Sequence, residues 1–179
     1  MKQKQIKFLL VFLINASISA LSQISSGQDF KPVSQNILDN PDPEDWLMWR
    51  GGYENWGYSS LTEINRDNVD RLRLAWSWEF APAAPGSDGM QIEPTVYDGV
   101  MYIRHSNEKY SAHDAATGDL IWEYSRALAS EVARYETRLT VHRGRGVFIY
   151  EDKLISHATD GMLFALNPQD GTLIWEVAM

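Results

Sequence analysis

A stretch that occurs twice constrains the fold of this chain more than any other feature of its sequence. The two copies, residues 112–122 and 165–175, end in Trp122 and Trp175, which lie 53 residues apart. A glycine four residues before each tryptophan repeats at the same offset. Each copy has two segments of alternating apolar and polar residues around a turn, the pattern of an antiparallel hairpin. A repeat of this length with several short strands is typical of a propeller or related array, whose units bury their faces against their neighbours.

The turn inside each copy predicts how its hairpin closes. Asp114 and Asn167 occupy matching positions, where a side-chain oxygen can accept backbone N–H groups in an Asx turn. Gly118 and Gly171 can take the positive φ that closes a hairpin with a bulge. The tryptophan that follows offers a large flat ring to bury against the next sheet. An ordinary β-sandwich hairpin with a core tryptophan is the alternative, but the gapless repeat of a whole unit favours the array.

A second hairpin precedes each repeated one. Residues 94–105 alternate around an Asp98-Gly99 turn, and residues 145–159 alternate around Glu151-Asp152. The predicted fold class is therefore all-β, a partial β-propeller of about two four-stranded blades. Because closed propellers typically use four to eight blades, we expect this chain to be the front part of a longer protein.

The segments around the hairpins predict less regular structure. Alternating apolar residues from Leu72 to Phe80 predict a strand, and Asn65 is placed to cap a short helical turn before it. Residues 125–144 have little periodicity and carry four arginines, so we expect a long loop between the two units. Loops of that length in a compact fold are often functional.

The amino terminus predicts export. Residues 1–22 combine three lysines, an apolar run and small residues before a cleavage point, as in a secretory signal peptide, which implies a periplasmic protein. A transmembrane anchor is the alternative, although Asn15 and Ser17 interrupt the run, which is shorter than the ~20 residues a spanning helix needs. Residues 23–44 are predicted to be an extended lead-in, and residues 45–179 the incomplete propeller domain.

Composition argues against several kinds of site. The 179 residues have a formal net charge of −8, which argues against a nucleic-acid surface. They include no cysteine, so a disulfide framework, a thiolate metal site and covalent haem attachment cannot lie within this chain. The histidines form no convincing metal pair, and we interpret each as a turn or packing residue: His105, His113, His142 and His157.

The residues in front of the repeat carry a resemblance to a known family. A tryptophan-rich stretch, the hairpin that starts at Pro94, the Ala-x-Asp-x-x-Thr-Gly-x-x-x-Trp motif and the run from Arg145 resemble the amino-terminal signature of pyrroloquinoline-quinone (PQQ) dependent alcohol dehydrogenases. The resemblance runs from about Asp45 to the end of the chain. Its most specific residues are Asp45-Trp46, Arg50, Asn55, Tyr58-Ser59-Ser60-Leu61, Ile64-Asn65, Asn68-Val69 and Leu74-Ala75-Trp76.

This resemblance implies an exported, eight-bladed propeller whose central funnel holds PQQ and a calcium ion. Such an enzyme oxidises alcohols or sugars and passes electrons to a cytochrome or quinone. Two cofactor contacts carry over: Gln91 matches a glutamate three residues before a proline, and Arg145 matches an arginine that contacts the quinone oxygens. Glutamine keeps a hydrogen-bond acceptor but loses the charge, whereas arginine supplies a planar, charged donor fork. Glu93 is nearby but two positions out of register.

The sequence also departs from the family's pattern. It lacks the adjacent cysteines that many members pair over the quinone, and His157-Ala158 replace a common threonine before Asp160-Gly161. Gly57 and Ser60 replace a frequent arginine and a frequent proline. The resemblance puts the calcium ligands and the aspartate that acts as general base beyond Met179, so no catalytic or metal-binding residue is assigned within this chain.

Two other functions are open at this point. A non-catalytic propeller scaffold for protein–protein interaction at the outer membrane would share the repeat motif, but not the signature between Asp45 and Trp76. A decayed quinoprotein would fold without binding a cofactor. The sequence favours part of a PQQ-dependent dehydrogenase, with PQQ and calcium as cofactors, an alcohol or sugar as substrate, and the rest of the propeller as partner.

Overall fold

The computed structural model describes residues 29–79, 92–105, 108–127 and 146–179, most of whose regular structure is β-strand. The first sheet has four antiparallel strands in chain order, β1 (Thr95–Tyr97), β2 (Val100–Arg104), β3 (Lys109–Asp114) and β4 (Leu120–Ser125). The second repeats this order with β5 (Phe148–Tyr150), β6 (Lys153–His157), β7 (Met162–Leu166) and β8 (Leu173–Ala178). Two consecutive four-stranded sheets confirm the predicted fold class.

The predicted turns close both sheets. The Asp114 carboxylate accepts the backbone N–H groups of Ala116 at 2.9 Å and Thr117 at 2.8 Å, which is an Asx turn. The Asn167 side chain accepts the N–H of Gln169 at 2.8 Å in the equivalent turn. The register shifts at a bulge between the third and fourth strands of each sheet, as the sequence predicts. The same kind of Asx turn and bulge therefore closes the repeated hairpin in each sheet.

The repeated tryptophan joins one sheet to the next. Trp122 is buried and donates its indole N–H to the carbonyl oxygen of Pro168 at 2.8 Å. Its ring covers Gly171 so closely that a Cβ atom there would lie 2.5 Å from the ring. Gly171 also has φ of +72°, a region that favours glycine. This contact confirms that the tryptophan packs against the next sheet.

A second tryptophan makes the same contact with the first sheet. Trp76 donates its indole N–H to the carbonyl oxygen of Ala115 at 3.1 Å, and a Cβ atom on Gly118 would lie 2.6 Å from its ring. Trp78 packs edge-on against His113, with 4.7 Å between the ring centroids. The segment that carries Trp76 therefore contacts the first sheet as β4 contacts the second.

The predicted strand from Leu72 to Phe80 is wrong for the part that the structure describes. Residues 72–79 form neither a strand nor a bridge to any described residue, and Phe80 lies outside the described ranges. The apolar alternation reflects Trp76 packing on the first sheet, while Leu74 is 82% exposed. A strand requires hydrogen bonds to a neighbour, and alternation alone does not supply one.

The residues before the sheets are only partly extended. The predicted lead-in contains a short helix, α1 (Gln35–Asp39), whose first turn is capped by the Ser34 hydroxyl. Val33 is buried and pairs with Glu151 through two backbone hydrogen bonds of 2.8 and 2.9 Å.

The predicted helical turn is present as a 3-10 helix, Val69–Arg71, and a second one covers Trp49–Gly51. The Asn65 side chain accepts the N–H of Asp67 at 3.0 Å and does not cap this helix, whereas the Asn65 backbone carbonyl accepts the N–H of Val69 at 3.0 Å. No helix in the described part of the chain is long and apolar enough to cross a bilayer. The predicted signal peptide and most of the predicted loop lie outside the described residues.

The core lies between the two sheets. Tyr110 of β3 and Phe164 of β7 are both buried and meet edge-on, with 5.3 Å between their centroids. Buried Glu108 lies at the edge of this core and accepts hydrogen bonds from Arg104, Tyr110 and the backbone of Thr159. Aromatic packing and this polar cluster fix the second sheet against the first.

Candidate functional site

A cleft of about 350 Å³ lies where the first strand of each sheet begins. Pro94 and Thr95 line it at the start of β1, and Val147 and Phe148 line it at the start of β5. The remaining lining residues come from the segment before the sheets, from the chain just ahead of each strand, and from the end of β6: Met48, Trp49, Glu93, Gly146 and His157. Apolar side chains predominate, as in small-molecule sites generally.

The two first strands are joined directly behind the cleft. The Thr95 hydroxyl, which is buried, donates to the carbonyl oxygen of Val147 at 2.7 Å. Gly146 lies so near the carbonyl oxygen of Glu93 that a Cβ atom would come within 2.8 Å of it. Because only glycine permits this approach, the chain ahead of β1 lies directly against the chain ahead of β5 at the inner wall of the cleft.

The opposite wall comes from the segment around Trp46. Trp46 and Val96 exchange two backbone hydrogen bonds of 2.8 and 2.9 Å, which lay this segment beside β1. Glu93 then accepts the Trp46 indole N–H at 2.6 Å and the backbone N–H of Arg50 at 2.8 Å. Sequence reasoning noted Glu93 only as a residue out of register, whereas the structure places it between the two walls.

His157 supplies a polar group to the cleft. Burial, and then the positive charge of Arg104, lowers the pKa of His157 below its ordinary value. The imidazole is therefore neutral at pH 7, with one nitrogen that donates and one that accepts. His157 is predicted to be a turn or packing residue, and the structure places it at the end of β6, where it lines the cleft.

Two other histidines are packing residues, as predicted. His113 is buried and its ring lies 2.8 Å from the Ser111 hydroxyl, and His105 approaches the same hydroxyl at 2.5 Å. His142 lies outside the described residues. Within residues 29–79, 92–105, 108–127 and 146–179, no group of three or more potential ligands is placed to hold a metal ion.

The two predicted cofactor contacts, Gln91 and Arg145, lie outside the described residues, so their placement stays a prediction. Both adjoin the cleft in sequence, since Arg145 directly precedes Gly146 and Gln91 lies two residues before Glu93. Sequence reasoning did not predict Met48, Trp49 or Phe148 in the site. Met48 and Trp49 lie within the family signature, between Trp46 and Arg50, and Phe148 lies three residues after Arg145. These positions in the sequence could have indicated their place in the site.

Consecutive four-stranded sheets that dock through tryptophans, with an aromatic-lined cleft beside their first strands, are the architecture of a β-propeller. Family comparison gives the particular group. The model of the PQQ β-propeller domain of glucose, ethanol and alcohol dehydrogenases matches residues 46–178. The chain belongs to this family, which confirms the resemblance drawn from its motifs.

Relatives and solved structures agree with this membership. The dehydrogenase subunit of the quinone-type alcohol dehydrogenase of Gluconobacter oxydans is 35% identical over 172 residues, which are 96% of this chain and 22% of the relative. The quinohemoprotein alcohol dehydrogenase of Comamonas testosteroni superposes with a TM-score of 0.61 at 31% identity, covering 75% of this chain and 19% of that one. A quinohemoprotein alcohol dehydrogenase of Pseudomonas putida gives a TM-score of 0.68 at 29% identity, covering 82% and 21%. This chain thus spans about a fifth of the length of these relatives.

Proposed function

We propose that this chain is the amino-terminal part of an exported PQQ-dependent dehydrogenase that oxidises an alcohol or a sugar and passes electrons to a cytochrome or a quinone. The observation that carries the proposal is the cleft at the start of β1 and β5, bordered in sequence by Gln91 and Arg145. The relatives named above, all called alcohol dehydrogenases, support an alcohol as the substrate class.

The residues of the cleft fit such a cofactor. PQQ is flat, aromatic and rich in carboxylate and carbonyl oxygens, and Trp49 and Phe148 give the cleft aromatic lining. Gly146 brings backbone against backbone without a side chain in the way. Neutral His157 can donate one hydrogen bond and accept another. When bound, PQQ supplies the chemistry of the reaction by accepting the equivalent of a hydride from the alcohol.

The chain's own residues would hold and orient the cofactor. The guanidinium of Arg145 suits a carboxylate or a pair of quinone oxygens, because its donors form a rigid, permanently charged fork. Gln91 can accept or donate a hydrogen bond where the family has a glutamate. We propose calcium as the second cofactor, with ligands supplied by residues outside this chain.

Exposed apolar surface supports the rest of the propeller as a partner. Leu74 is 82% exposed beside Trp76, and Ile174 and Val177 of β8 are 44% and 52% exposed. Trp175 holds the position in the second sheet that Trp122 holds in the first. Further blades packed against the Trp76 segment and against the second sheet would bury this apolar surface.

The cofactor proposal is tested with the full-length gene product. Isothermal titration with PQQ and calcium should show saturable binding, and alcohols or sugars should then reduce an artificial electron acceptor. Arg145→Met and Gln91→Leu should each weaken PQQ binding about tenfold, as expected for losing a hydrogen bond to a charged group. Arg66→Met, at an exposed arginine outside the cleft, should leave binding unchanged.

Two results would count against the proposal. Absence of PQQ binding would remove the dehydrogenase function, and the scaffold or the decayed quinoprotein would become the better account. Binding unaffected by both Arg145→Met and Gln91→Leu would keep the function but reject these residues as contacts. Export is tested separately by sequencing the amino terminus of the mature periplasmic protein, where retention of Met1 would reject cleavage after residue 22.

A further inference from the structure

We propose that Glu93 is a positioning residue that builds one wall of the cleft, an inference that rests on the proposed PQQ site. A single carboxylate oxygen, Oε1, accepts the indole N–H of Trp46 at 2.6 Å and the backbone N–H of Arg50 at 2.8 Å. The donors lie 47 and 43 residues earlier in the chain. One side chain thus ties two points of the preceding segment to the start of β1.

The residues between these two tied points form the wall. Met48 and Trp49 both line the cleft, and Trp49 is 42% exposed. Glu93 fixes both ends of the segment that carries them. On its other side, the backbone carbonyl of Glu93 meets Gly146 of the opposite wall. Glu93 therefore sets the distance between the two walls that a flat cofactor would enter.

The backbone conformation of Arg50 indicates that its hydrogen bond to Glu93 stabilises this segment. Arg50 has φ of +58° and ψ of +29°, the left-handed conformation that residues with a side chain rarely adopt. The hydrogen bond from its N–H to Glu93 offsets that strain, because it gives the backbone donor an acceptor in this conformation. Without the acceptor, we expect Arg50 to relax and the Met48–Trp49 wall to move.

Contacts that do not involve the Glu93 carboxylate also hold the segment around Trp46 in place. Trp46 keeps its backbone pairing with Val96, and its ring packs on Gly51, where a Cβ atom would lie 3.1 Å away. Loss of the Glu93 carboxylate should therefore reshape the wall without unfolding the domain. Both donors to Glu93 are neutral, so the role needs an acceptor of the right shape, which glutamine also provides.

The test compares Glu93→Ala with Glu93→Gln in the full-length gene product, using isothermal titration with PQQ. Glu93→Ala should weaken PQQ binding about tenfold or more, equivalent to about 1.4 kcal/mol. Glu93→Gln should restore binding to within about threefold of the wild type, about 0.65 kcal/mol. Asp45→Ala is the matched control, because the Asp45 carboxylate, next to Trp46 in sequence, accepts the backbone N–H of Asp98 at 3.0 Å outside the cleft. Its PQQ affinity should equal that of the wild type.

Hydrogen exchange, measured without PQQ, is a second test of the same inference. Hydrogen exchange of the Arg50 amide should be faster in Glu93→Ala and unchanged in Glu93→Gln and Asp45→Ala. Equal PQQ affinity in Glu93→Ala and wild type would overturn the inference, as would Glu93→Gln weakening binding as much as Glu93→Ala, since Glu93 would then act by its charge. A wild type that binds no PQQ would instead overturn the proposed function, and this inference with it.

Discussion

The contact between Trp122 and Gly171 gives the sharpest quantitative prediction. In Gly171→Ala, the new Cβ atom would lie 2.5 Å from the Trp122 ring at a residue whose φ is +72°. The left-handed backbone costs about 1–2 kcal/mol for a residue with a side chain. Displacing the packed ring costs about 1–3 kcal/mol more. Loss of the indole hydrogen bond to Pro168 adds about 1 kcal/mol, so we expect the free energy of unfolding to fall by about 3–6 kcal/mol.

A matched glycine separates the contact from the backbone effect. Gly161 has φ of +81°, but a Cβ atom there would meet nothing within 4 Å. Gly161→Ala should therefore cost only the backbone part, about 1–2 kcal/mol. The measurement is urea unfolding of the purified variants, followed by circular dichroism and tryptophan fluorescence.

Equal losses in Gly171→Ala and Gly161→Ala would refute this account of sheet docking. A second comparison uses the Trp122→Ala background, in which Gly171→Ala should cost no more than Gly161→Ala does in the wild type. If the cost were as large with and without the Trp122 ring, the ring would not be the reason for glycine at this position.

Two further predictions concern a buried ion pair and a histidine that lines the cleft. Glu108→Gln removes the counter-charge of buried Arg104 and should lower the free energy of unfolding by about 3–5 kcal/mol. The matched change Glu123→Gln, in the partly exposed pair with Lys109, should cost less than about 1 kcal/mol by urea unfolding, and similar losses would contradict the argument. The folded-state pKa of His157 is lowered, so the unfolded chain binds its proton more readily and stability falls as pH drops below about 6.5. His157→Gln should flatten this dependence in thermal unfolding between pH 7 and 5, and an unchanged slope would exclude His157 as its source.

Much of the local structure could be predicted from residue type and spacing. Asp114 and Gly118 lie four residues apart, and their turn depends on contacts within that short span. The same holds for Asn167 and Gly171, so the repeat predicted two matching hairpins that the structure confirms. Motifs also predicted the family, because the tryptophan-rich signature is specific.

Other features depended on contacts between distant residues. The alternation from Leu72 onward predicted a strand, but no described segment pairs with it, and Trp76 instead packs against Gly118 of the first sheet. The sequence predicts His157 to be a turn or packing residue, yet it ends β6 and lines the cleft. Neither outcome is encoded in the neighbouring residues.

Residue types and their spacing are sufficient to predict the repeated hairpins, the glycines that close them and the family. The positions of the cleft walls, and the contacts of Glu93 that connect them, depend on how distant parts of the chain pack together. The two kinds of feature differ in the range of the interactions that form them. An Asx turn is satisfied within a few residues, whereas the hydrogen bonds of Glu93 to Trp46 and Arg50 span more than forty residues and form only when that segment lies beside β1.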